Sequence, residues 1–222
     1  MKKTLLNIGV LGFIGICSNI YAQEYVDKKI TEKNGNISLV TFKDNANLKA
    51  VSKAELFKNV LNLPSQAELR LIKTEKDAAG KFLDEKYQLY YNNVKVEFGI
   101  YNLHYKSGNL TNMNGEIFST ANVNTSPGIS SQTALDRAIQ SVGAQKYMWD
   151  DTDNNVDNYK KPTGELVLLP LQQVDESYKL TLAYKFDVFA SQPMSRAYIY
   201  VDAATGKILL SDAIINMQQK IY

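Results

Sequence analysis

The chain is nearly without cysteine and histidine: it has one of each in 222 residues, with a single tryptophan and five prolines. Each shortage excludes something. With Cys17 alone no intramolecular disulfide can form, so an apolar core must hold the fold, and a chain of this length can bury one or two. With His104 alone the usual catalytic zinc site, which commonly takes two histidines from one helix face, cannot be assembled, and no His-Glu-x-x-His occurs. No Gly-x-Ser-x-Gly elbow marks a serine nucleophile. Nor is there an excess of positive charge: the 25 basic residues include Lys2 and Lys3, and without that pair 23 basic residues face 23 acidic ones. No block of like charges is left to attract nucleic acid.

What is present begins with a leader. Lys2 and Lys3 precede an apolar stretch from Leu5 to Ile20, and Ala22 supplies the small residue that signal peptidase needs, so cleavage is expected after Ala22. The stretch is short for a membrane span, which takes about 20 apolar residues, and no later segment competes with it. Cys17 follows the bulky Ile16, which argues against a lipid anchor. The mature chain is expected to be exported, periplasmic or extracellular, and off the membrane.

Two cycles of helix followed by strands come next. Residues 23–48 are polar, with one strand over Ile37 to Phe42. Ser52 and Glu55 form a capping box that opens a helix carrying Leu56, Val60 and Leu61, stopped by Leu63-Pro64. Hairpin signals follow: Tyr87 to Tyr91, an Asn92-Asn93 turn, Val94 to Tyr105, a Ser107-Gly108 turn, then Leu110 to Met113 and Asn114-Gly115. Residues 121–128 have linker composition. Ser130 or Ser131 then caps a helix through Ala134, Leu135, Ala138, Ile139 and Val142, stopped by Gly143. Strands are expected at Glu165 to Pro170 and at Tyr178 to Phe189, where Leu180, Leu182, Tyr184, Phe186 and Val188 share the buried face of a half-buried strand. Ala197, Ile199, Val201, Ile208 and Leu210 continue the pattern across the turn from Asp202 to Gly206. The fold class is therefore α+β.

Candidate sites are few. Asp150 to Asn155 is acidic, but a calcium loop beginning at Asp151 would need Gly at its sixth place and a carboxylate at its twelfth, where Val156 and Pro162 stand. It is expected to be a solvated loop. His104 sits between Leu103 and Tyr105 in a strand pattern, as a structural or exposed residue and not a ligand. Tyr87, Tyr90, Tyr91, Tyr101 and Tyr105 suit cross-strand packing better than a binding surface. No catalytic residue, cofactor or metal ligand is assigned.

The order of these elements resembles a known family. Asp77, Gly80, Tyr87, Gln88, Tyr91, Val94, Val96, Gly99, His104, Gly108 and Asn114-Gly115 match the pattern of the fungalysin/thermolysin propeptide (FTP) module. Ala134, Ala138, Gly143-Ala144, Tyr147, Trp149, Pro162, Gly164 to Leu166, Leu182 to Tyr184 and the Val201 to Gly206 turn are similar to the PepSY module that follows it in the pro-regions of secreted thermolysin-like zinc metallopeptidases. Asp84-Glu85-Lys86 departs from the family, which often has His-x-Arg there, and Asn93 stands where Gly is usual.

The resemblance implies two cystatin-like modules, each a helix packed on a curved antiparallel sheet. Their divisions are a signal peptide at 1–22, an FTP-like module with an N-terminal arm at 23–120, a linker at 121–128, a PepSY-like module at 129–215 and a C-terminal tail at 216–222. It implies a non-catalytic propeptide that inhibits the catalytic domain of a metallopeptidase, its partner, and helps it fold. Ile214, Ile215, Met217 and Ile221 are the expected partner-binding anchors, placed beyond the last strand. A free-standing inhibitor acting in trans, or a truncated peptidase precursor, would carry the same residues.

Overall fold

The computed structural model describes residues 25–44, 46, 48, 51–119, 123–153 and 155–216; the leader expected at 1–22 lies outside them. The described residues form an α+β fold with one eleven-stranded mixed sheet and two α-helices. The strands are β1 (Val26–Thr31), β2 (Ile37–Phe42), β3 (Ala67–Lys76), β4 (Phe82–Tyr91), β5 (Val94–Lys106), β6 (Asn109–Gly115), β7 (Lys146–Tyr147), β8 (Glu165–Gln172), β9 (Tyr178–Gln192), β10 (Met194–Asp202) and β11 (Ile208–Asn216). Helix α1 (Lys53–Leu61) follows β2, and α2 (Ser131–Val142) follows β6.

Both helices start and stop where their capping residues dictate. The Ser52 hydroxyl accepts from the Glu55 amide and the Glu55 carboxylate accepts from the Ser52 amide, which satisfies two otherwise unpaired donors of α1. Asn62, at φ 57°, ends it. Ser130 caps α2, and Gly143 closes it at φ 62° while donating to the Ile139 carbonyl. Leu56, Phe57, Val60 and Leu61 of α1, and Ala134, Leu135 and Ala138 of α2, pack into one continuous apolar cluster.

Two separate modules are expected from the sequence; in the structure a single sheet runs through both halves. Its order is β1-β2-β6-β5-β8-β9-β10-β11, with β4 on the other edge of β5, β3 outside β4, and β7 on β9. The join is a short parallel pairing, Lys95 with Val167 and Val96 with Leu168, and all the other pairings are antiparallel. The core crosses the join too: Phe118 meets Tyr178 edge-on, with ring centroids 5.0 Å apart.

β9 is more enclosed than a half-buried strand. Leu180, Leu182, Tyr184, Phe186 and Val188 form the expected buried face. On the opposite face Ala183 is sealed with Val167, Leu169 and Tyr200 in a second apolar cluster, and Phe189 is also buried. Three strands, β1, β3 and the two-residue β7, have no counterpart in the sequence expectations. β7 is too short to leave a pattern. β1 and β3 both lie at sheet edges and are largely solvent-facing, so neither needs the apolar alternation that betrays a strand.

Candidate partner-binding surface

The segment that carries the FTP resemblance folds as β3 to β6, and its side chains explain the pattern. Tyr87 and Tyr91 of β4 and Tyr101 of β5 are buried, and the Tyr101 hydroxyl donates to the Ile37 carbonyl at 2.8 Å. His104 lies between Asp84 and Asn114: Nδ1 is 2.7 Å from Asp84 Oδ1 and Nε2 is 3.1 Å from Asn114 Nδ2. It is a cross-strand tie, as its place in the strand implies. Asp84 and Glu85, two of the residues that depart from the family pattern, are structural partners here. Glu85 receives Lys53 of α1 and the hydroxyls of Tyr87 (2.9 Å) and Tyr105 (3.0 Å).

The least regular part of this segment is a wide bulge in β5. Gln88 pairs with Ile100 and Tyr90 with Lys95, so Leu89 alone opposes Val96, Glu97, Phe98 and Gly99. The buried Gln88 side chain fills the gap, its amide nitrogen lying 2.6 Å from the Val96 carbonyl, 3.0 Å from that of Gly99 and 3.2 Å from that of Leu89. Gly99 is required by close approach: a Cβ there would lie 2.9 Å from the Leu89 Cβ. The bulge also divides the free edge of β5, so that Lys95 and Val96 pair with β8 while the run from Tyr101 to Lys106 pairs with β6.

Inside the bulge Glu97, only 4% exposed, draws charges from both halves of the chain. Its Oε2 accepts from Lys185 Nζ at 2.9 Å and from the Tyr200 hydroxyl at 2.8 Å. Lys95 Nζ lies 2.6 Å from Oε1, an ion contact poorly angled for a hydrogen bond, and also reaches Glu165 at 3.2 Å. Burial pushes the Glu97 carboxyl up, but the ammonium of Lys95 against it and its bonds to Lys185 and Tyr200 outweigh that and hold its pKa below the ordinary value. For Glu85 burial likewise opposes, and Lys53, Tyr87 and Tyr105 prevail. A carboxyl whose folded pKa lies below its unfolded value stabilises the fold above the unfolded value and loses that contribution as pH falls through the folded one. The melting temperature is therefore expected to drop on acidification below about pH 4.5, near the reference value of a glutamate. Glu97→Gln should flatten that acid limb; melting curves from pH 3 to pH 7 for both proteins check it.

Two of the four expected anchors fall within the described residues. Ile214 is 43% exposed and lies within β11, and the backbone of Ile215 pairs there with Arg196, so both belong to the last strand and not to a tail beyond it. Met217 and Ile221 lie outside the described residues. The acidic loop also differs from its expectation: Asp151 is buried and pairs at 2.8 Å with Lys146 of β7, five residues earlier, which compensates its charge. Among the described residues no group of three or more His, Cys, Asp or Glu could hold a metal ion. None of their helices is long and apolar enough to cross a membrane.

Comparison with known proteins bears on this same segment. The family model described as Fungalysin/Thermolysin Propeptide Motif matches residues 67–117, from the start of β3 to just past β6. The match supports a thermolysin-like propeptide. No curated protein matches the chain. Among solved structures the chain is similar to the Bacillus megaterium YpeB C-terminal domain, at 13% identity and a TM-score of 0.35, over 85% of this chain and 82% of that one.

Proposed function

We propose that this chain is the inhibitory and folding-assisting propeptide of a secreted thermolysin-like zinc metallopeptidase, with an FTP-like module at 23–120 and a PepSY-like module at 129–215, and without catalysis of its own. The observation that carries the reading is the propeptide match over residues 67–117, which falls on a complete run of four paired strands. The partner is the catalytic domain of that peptidase. The folded strands dock on it, and the chain beyond β11, with Met217 and Ile221, lies in the active-site cleft, where tethering raises its local concentration far above its own affinity.

The test is to titrate the thermolysin-like catalytic domain of the same organism with residues 23–222 and with a version ending at Asn216, which leaves β11 whole. The longer chain is expected to inhibit, and the shorter one to inhibit roughly tenfold or more weakly, the loss on removing a tethered segment. It should also raise the recovery of activity from denatured catalytic domain. Absence of both effects overturns the reading; equal inhibition constants remove only the role of the tail.

A further inference from the structure

Phe98 adopts a backbone conformation that L side chains avoid. Its φ is +61°, a region that asparagine and aspartate enter far more readily than a bulky residue, and Phe98 is the one apolar residue among the described non-glycine residues at positive φ. A bulky residue held there is strained, and such strain persists only where the surroundings impose it. Here they do. On one side Glu97 is buried among Lys95, Lys185 and Tyr200; on the other Gly99 has no room for a side chain; and Gln88 pins the carbonyls that flank the bulge.

The Phe98 ring returns nothing to the core for this cost. It is 50% exposed, belongs to neither apolar cluster, and has no ring or cation partner among the described residues. Asn or Gly would fit the same backbone without the penalty. We infer that Phe98 is an aromatic anchor for the partner, held outward on a rigid bulge so that it can enter an apolar pocket on the catalytic domain of the metallopeptidase. This rests on the propeptide reading. The bulge lies within the matched segment, and aromatic side chains presented without loss of freedom are the kind that dominate protein interfaces.

The consequence is an opposition between stability and binding that an ordinary core or surface residue would not show. Phe98→Asn and Phe98→Gly, made in residues 23–222, are expected to melt at the wild-type temperature or a few degrees above it, because the strain is relieved. Both should inhibit the catalytic domain of the same organism roughly tenfold or more weakly, as for an interface hot spot, while Phe98→Tyr inhibits like wild type. Wild-type inhibition constants in both Asn and Gly variants would overturn the anchor and leave the propeptide reading standing. Lower melting temperatures in both would also overturn it, by making Phe98 a residue of the fold. Failure of the wild-type chain itself to inhibit would remove the propeptide reading, and the anchor with it.

Discussion

Leu182→Asp should abolish the folded second half of the chain. Leu182 is 8% exposed in the middle of β9 and belongs to the cluster that includes Ala134, Leu135 and Ala138 of α2. An aspartate there loses the apolar packing and leaves a charge with no water and no partner. The combined cost exceeds the 2–5 kcal/mol typical of removing a buried leucine side chain, and each kcal/mol lowers the melting temperature of a domain of this size by about 2–4 °C. A fall of roughly 10 °C or more, or loss of the cooperative transition, is expected in circular dichroism. Lys179→Asp on the same strand is the control: Lys179 is exposed, and a surface change of this kind stays within about 0.5 kcal/mol. Equal melts for the two variants would mean that the face of β9 has been misassigned.

Glu97→Ala is expected to separate the two halves energetically. Lys95 and Glu97 come from β5 while Lys185 and Tyr200 come from β9 and β10, so the carboxylate is the shared acceptor at the join. Removing one member of a buried ion network leaves the others uncompensated and costs about 3–5 kcal/mol, whereas replacing the whole group by apolar side chains of similar size can be nearly neutral. The alanine variant should therefore melt well below wild type and in two steps, and Glu97→Leu combined with Lys185→Met should recover much of the loss. Calorimetry distinguishes these outcomes. A wild-type melt for Glu97→Ala would show that the parallel pairing and the shared core hold the halves together without the network.

On the reading proposed above, a propeptide that docks on its partner and helps it fold benefits from a single rigid body. A continuous sheet provides one: the surface formed by β3 to β6 and the strand β11 that leads toward the tail are fixed in relation to each other through β5, β8, β9 and β10. On that reading, segments docked at two places on the partner gain affinity through geometry and need few additional contacts.

Local chemistry was enough to place most elements from the residues alone. Capping by Ser52 with Glu55 and by Ser130, stops at Gly143 and at the Asn92-Asn93 turn, and the period-two burial of β9 depend on neighbours within a few positions, so the sequence shows them directly. The absence of His-Glu-x-x-His and the FTP-like pattern are equally local. What only the tertiary structure decided depends on residues far apart in the chain. The parallel pairing of β5 with β8 joins Lys95 to Val167. Ala183 and Phe189 are covered on the face of β9 that the pattern leaves to solvent, and Asp151 is buried against Lys146. β1 and β3 are strands because a neighbour offers them a ladder, not because their own residues alternate. Phe98 is the clearest case. The sequence Glu97-Phe98-Gly99 looks like ordinary strand, and the positive φ appears only once Gln88, Lys185 and Tyr200 have closed around the bulge.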